Sequence, residues 1–113
     1  MPKQEVPTKK PTQEKSTDKD LIVISREIDF PLFFDLNKAI KEKKKTCKNK
    51  ECVLFLTTQG GDPDAGYRIA KCLQNNYDII RLVVSSYCKS AGTLIAIAAN
   101  EIAFGDLGEL GPL

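Results

Sequence analysis

A chain of 113 residues with 42% hydrophobic residues is long enough for one domain with its own core. Its formal net charge of only +2 argues against a nucleic-acid binder. Histidine is absent and no Cys-x-x-Cys pair occurs, so neither a zinc site nor another metal site is expected, and no cofactor motif is present.

The first stretch, "MPKQEVPTKKPTQEKSTDKD", contains three prolines and, beyond Met1, a single aliphatic residue, Val6. It cannot bury enough apolar surface to offset the entropy of ordering it, so residues 1–19 are expected to be a disordered tail and residues 20–113 the folded domain. The stretch lacks the apolar centre of a signal peptide. No uncharged run approaches the ~20 apolar residues of a membrane span. The lysines of the tail are read as solvated, with contact to a membrane or nucleic acid as the alternative.

"LIVIS", Leu21 to Ser25, is a β-branched run and predicts a buried strand. "FPLFFDLNKAIKEKKK" places Leu32, Phe33, Leu36, Ala39 and Ile40 at helical spacing, with lysines at the end where the helix dipole is negative. "CVLFLTT", Cys52 to Thr58, predicts a second strand. In "QGGDPDAG", Gly60 and Gly61 free the backbone for unusual dihedrals. Asp62-Pro63-Asp64 has the form of a helix start, with an Asp cap and proline in the first turn. Ala65, Ile69, Cys72 and Leu73 then mark one face of a helix.

"DIIRLVV", Asp78 to Val84, is the third predicted strand. Ser90 to Ala99 is apolar nearly all round and predicts a helix buried on several sides, stopped at Asn100. "EIAFG", Glu101 to Gly105, is the fourth strand. The order β-α-β-α-β-α-β implies an α/β fold with a parallel sheet and right-handed crossovers. Cys52 and Cys72 fall in apolar patterns, so the cysteines are expected as buried free thiols, suited to a reducing cytoplasm.

Two loops, "TTQGGDP" and "SSYCKSAG", leave carboxyl ends of strands, where ligands meet parallel sheets. Ser90 stands where a strand hands over to a helix. Either it only caps that helix, or its hydroxyl attacks a carbonyl while the N–H groups of Ala91 and Gly61 hold the oxyanion. The residues alone leave both readings open.

"LFLTTQGGDPDAGYRIAKCL" followed by "VVSSYCKSAGTLIAIAANEIAFGDLGELGP" resembles the serine dehydrogenase proteinase family, within the class of the Clp protease proteolytic subunit and the signal peptide peptidases. The resemblance runs from Leu21 to Leu113 and is most specific from Leu54 to Pro112. It implies a crotonase-like fold of repeated β-α units around a mainly parallel sheet, incomplete at the carboxyl end. It implies a serine peptidase with Ser90 as nucleophile and with Gly61 and Ala91 as oxyanion donors. Gly60 would permit the turn, Gly92 would allow close helix packing, and Glu109 to Pro112 would lie near the site.

Relatives take their general base, a His-Asp pair or a lysine, from further along the chain. Lys89 adjoins Ser90, but adjacent side chains normally diverge, which makes it a poor candidate, and Lys71 is expected on a helix surface. The base is therefore expected beyond residue 113, and the chain is expected to be an N-terminal fragment that is inactive alone. The partners implied are a peptide or protein substrate and further copies of the chain. A non-catalytic scaffold of the same fold and an acyl-CoA enzyme of the crotonase type are the alternatives.

Overall fold

The computed structural model describes residues 19–105 and 108–111; the expected tail up to residue 18 and Pro112 lie outside them. The elements are β1 (Lys19–Ser25), α1 (Phe30–Lys44), β2 (Glu51–Thr57), α2 (Pro63–Asn76), β3 (Ile79–Val84), β4 (Tyr87–Cys88), α3 (Ala91–Ile97), β5 (Glu101–Phe104) and β6 (Glu109–Leu110). Four strands form one parallel sheet in the order β1-β2-β3-β5. Lys19 thus opens the first strand instead of closing the tail.

Each crossover advances one strand in the same direction. Right-handed connections then place all three helices on one face. Alternation along the strands agrees. Ile24, Leu54, Leu56, Ile80, Leu82 and Val84 share one buried cluster with Leu36 and Ile40 of α1, Ile69 and Leu73 of α2 and Ile95 of α3. Leu21, Val23 and Phe55 point to the other side and are exposed.

The helices begin for local reasons. Asp29 accepts a hydrogen bond from the Leu32 amide at 2.9 Å and pairs with Arg26 at 3.0 Å, which starts α1. Asp62 accepts from the Asp64 amide at 2.8 Å, with Pro63 in the first turn of α2, as the sequence predicts. Lys41, Lys43 and Lys44 occupy the last turn of α1.

At the amino ends of β1 and β2 lies a buried polar cluster. Asp20 is 1% exposed. It accepts from the Tyr77 hydroxyl at 2.5 Å and the Asn49 amide at 2.7 Å, and Lys43 approaches to 3.7 Å. These partners replace the water the carboxylate has lost. Cys52, Cys72 and Cys88 are buried and Cys47 is half-buried, all as free thiols.

Two expectations need correction. α3 is shorter than Ser90 to Ala99 and is buried on one side only: Ile97 is 68% exposed. Its alanines made it look buried all round because alanine carries little information about direction. Asn100 does not cap α3 but ties the chain to β3, donating from its amide to the Ile80 carbonyl at 2.8 Å and accepting from the Ile80 amide at 2.6 Å. Two further strands, β4 and β6, were not foreseen. They pair in parallel as a second small sheet.

Candidate active site

The second sheet organises the site. Beyond the end of β2, the loop from Thr58 to Asp62 runs between two neighbours. On one side Thr58 bridges to Cys88: its amide donates to the Tyr87 carbonyl at 3.1 Å, and its carbonyl accepts from the Lys89 amide at 3.0 Å. On the other side Gly61 bridges to Ile28. The Ile28 amide donates to the Gly60 carbonyl at 2.8 Å, and the Ile28 carbonyl accepts from the Asp62 amide at 2.9 Å. The Gly-Gly loop and the Lys-Ser-Ala-Gly loop are therefore stitched edge to edge.

Thr58 is the hub of this arrangement. It is 2% exposed, and its hydroxyl accepts from the Gly60 amide at 3.0 Å. A threonine closing an apolar strand gave no sign of that role in the sequence.

The glycines are demanded by close neighbours. Gly60 has φ +113°, and a Cβ there would stand 2.4 Å from Ser90 Cβ and 3.1 Å from Ser90 Oγ. Gly61 has φ +142°, and its Cβ would stand 2.1 Å from the Ile28 carbonyl oxygen. The bare Cα of Gly61 thus faces the chain's own backbone. At Gly92 a Cβ would come within 2.4 Å of Thr58 Cγ2 and 2.8 Å of Cys88 Sγ.

Sequence reasoning missed Gly66. Its Cβ would meet the Ala91 carbonyl oxygen at 2.8 Å, so α2 lies directly against the start of α3. The available signal was a glycine inside a helix, which costs ~1 kcal/mol relative to alanine and asks for a packing reason.

Ser90 is the one residue other than glycine with positive φ among the described residues, at φ 53° and ψ −119°. Its side chain makes no capping hydrogen bond, so the hydroxyl is not spent on the helix end. Its carbonyl instead accepts from the Thr93 amide at 2.9 Å, and the Lys89 carbonyl accepts from the Gly92 amide at 2.9 Å. A serine in such a conformation costs ~1–3 kcal/mol and persists because its surroundings over-determine it. Among the described residues the amides of Gly61 and Ala91 donate no hydrogen bond. α3 has only seven residues, so any stabilisation of negative charge here rests on individual amides, not on a long helix dipole.

Thr93 Oγ1 donates to the Gly111 carbonyl at 2.9 Å, and the Gly111 amide donates to the Cys88 carbonyl at 2.8 Å. The segment from Glu109 to Gly111 is thereby brought beside β4. The methylenes of Lys89 run over Gly111, where a Cβ would meet Lys89 Cδ at 2.4 Å. Lys71 lies on the exposed side of α2.

A groove of about 330 Å³ is lined by Gly60, Gly61, Thr57, Gln59, Glu27 and Tyr87; Ser90 does not line it but lies against Gly60. A larger cavity, about 860 Å³ between α1 and α2, includes none of the loop residues and is not part of this site. Two of the buried cysteines are chemically quiet: burial pushes the Cys52 thiol up to about 12, with Asp20 adding to the rise and Lys44 opposing it, and burial pushes Cys88 up to about 11. No described helix is long and apolar enough to cross a membrane.

Comparison with known proteins follows the same residues. A family model described as ClpP-like SDH-type serine proteinase matches residues 22–113. The chain is 34% identical over 79 residues to uncharacterized protein MJ0137 of Methanocaldococcus jannaschii, covering 70% of this chain but 28% of that protein. Among solved structures it is similar to ClpP1 from Listeria monocytogenes, with 26% identity and a TM-score of 0.62 over 74% of this chain and 48% of that one. It shares its fold with the 1510-N membrane-bound stomatin-specific protease in complex with a substrate peptide, at 22% identity and TM-score 0.65, over 76% of this chain and 40% of that one. The chain thus spans less than half the length of each of these relatives. With a parallel α/β sheet of this order, and with the family match running from β1 through the serine loop, the chain belongs to the ClpP-like SDH-type serine proteinases.

Proposed function

We propose that this chain carries the nucleophile and the oxyanion donors of a serine peptidase that cleaves peptide bonds through an acyl-enzyme on Ser90. The observation that carries the reading is the conformation of Ser90, strained and uncapped against Gly60. A serine that merely ended a helix would have no need of positive φ, and strained strand-to-helix turns are how nucleophilic serines are raised above a sheet.

In the proposed reaction Ser90 Oγ attacks the scissile carbonyl carbon and gives its proton to a general base. The carbonyl oxygen becomes an oxyanion held by the N–H groups of Gly61 and Ala91, each worth ~3 kcal/mol of transition-state stabilisation. Collapse breaks the C–N bond, the amine leaves with the proton, and water then hydrolyses the ester. The base is placed outside these 113 residues, which hold no histidine. Without it the serine is a weak nucleophile.

The substrate backbone is placed in the groove beside Gly60 and Gly61. Assembly with further copies of the chain, and a reducing cytoplasmic setting suited to four free thiols, complete the reading. The test is hydrolysis of an unfolded protein such as casein by the full-length protein. Ser90→Ala should abolish it while leaving the fold intact. Unchanged hydrolysis, or none from the full-length wild type, contradicts the proposal; the second result would leave a non-catalytic scaffold.

A further inference from the structure

β1 forms one edge of the four-stranded sheet, and among the described residues it pairs only with β2. Its side chains away from the helices are unusually exposed for their type, Leu21 at 68% and Val23 at 73%. Natural edge strands are commonly blunted by proline, a bulge or charged side chains. This seven-residue strand has no proline, and its two charges sit at one end and are already engaged, Lys19 with Glu51 and Asp20 with Tyr77 and Asn49. Beside it a groove of about 270 Å³ runs between Ile22 and Val23 of the strand and Leu36, Ala39, Ile40 and Lys43 of α1.

We propose that β1 pairs antiparallel with β1 of a second copy of this chain, about a two-fold axis at Ile22, joining the two sheets into one continuous sheet. The sequence of the strand is self-complementary in that register. With Ile22 opposite itself, Leu21 faces the partner's Val23 and Lys19 faces the partner's Ser25. The open face then carries apolar pairs and no like charges meet.

The helix layer fits the same axis. A two-fold perpendicular to the sheet sets the two α1 helices side by side and antiparallel. Ala39 lines the same groove as Ile22, so the smallest side chain of that groove sits close to the axis and lets the helices approach. Asp35 stands one turn before Ala39 and Lys43 one turn after it. The antiparallel arrangement brings each Asp35 toward the partner's Lys43, whose side chain is 53% exposed in the single chain. A C2 interface requires this kind of self-complementarity, with each residue meeting a counterpart that meets it back. The chain's own first 18 residues are a poorer occupant, because Pro2, Pro7 and Pro11 cannot donate to a ladder. The inference does not depend on the role given to Ser90.

The test is the molar mass of the full protein in solution by light scattering, for the wild type and two double variants. Both positions are exposed, so each variant should keep its fold, which circular dichroism checks. Leu21→Lys with Val23→Lys places lysine against lysine at every contact and should halve the mass. Leu21→Lys with Val23→Glu places each lysine opposite the partner's glutamate and should restore the wild-type mass. A wild type that is monomeric at micromolar concentration overturns the proposal. So does a Lys/Lys variant of unchanged mass, a Lys/Glu variant that stays dissociated, or a dimer that forms only after residues 1–18 are removed, which would mean that the tail covers the edge.

Discussion

Replacing Gly92 by alanine tests how tightly α3 is seated under the Gly-Gly loop. In an exposed helix this change would stabilise by ~1 kcal/mol, because alanine loses less backbone entropy. Here the new methyl would stand 2.4 Å from Thr58 Cγ2 and 2.8 Å from Cys88 Sγ. Overpacking of a close contact costs ~1–3 kcal/mol. Because the clash is with a buried β-branched residue, it should outweigh the helical gain and leave a net loss of about 1–2 kcal/mol.

Thr58→Ser removes Cγ2 but keeps the hydroxyl that accepts from the Gly60 amide. Alone it should cost about 1 kcal/mol for the lost buried methyl. Combined with Gly92→Ala it should recover much of the loss, since the alanine methyl takes the vacated space and only the contact with Cys88 Sγ stays tight. Urea denaturation of the wild type, both single variants and the double variant gives the coupling directly. A coupling of about 1 kcal/mol or more in favour of the double variant is expected. Additive losses, or a Gly92→Ala variant as stable as the wild type, would refute the packing described at the heart of the site.

Gly61→Ala should lower stability by ~1–3 kcal/mol, because φ +142° is strained for any side chain and the methyl meets the Ile28 carbonyl. Gly61→Val should do worse, so turnover of a Gly61 variant must be compared only after its folded fraction is measured by thermal melting. Tyr77→Phe takes one donor from buried Asp20 and should cost ~1.5–3 kcal/mol in a urea titration; a loss below half of that would make the bond unimportant. An aromatic disulfide reagent should modify Cys47 ahead of the other three thiols, which should react only on unfolding. The folded protein holds the Cys52 and Cys88 protons up to about 12 and about 11, against an ordinary value of 9.0. An unfolded chain releases them near 9, so stability should be full below that pH and fall as pH rises toward 11 and 12. Chemical denaturation from pH 8 to 11 measures the slope, and a flat profile would argue against burial of these thiols.

Much of the main sheet was legible because it depends on short-range patterns. The β-branched runs at Leu21, Cys52 and Ile79 mark strands, and Asp62-Pro63 marks the start of α2. The second sheet was not legible. Its strands are two residues long and pair with each other, and the bridges beside it, Thr58 to Cys88 and Ile28 to Gly61, join segments that look like ordinary loops. The site residues could be nominated from the Gly-Gly loop and the Lys-Ser-Ala-Gly loop, but the reasons for the glycines could not. Gly60 gives room to Ser90 and Gly61 to the Ile28 carbonyl, contacts between segments about 30 residues apart that no local pattern records. The direction of α3 was hidden for a related reason, since from Leu94 to Ala99 no polar residue marks the outer face.

The claim that Ser90 is a nucleophile is tested most directly by covalent labelling. The full-length protein, treated with a fluorophosphonate and digested, should carry the label on the Ser90 peptide as read by mass spectrometry. Ser90→Ala should abolish it. Label that persists in the Ser90→Ala protein, or that sits on another residue in the wild type, would contradict the account.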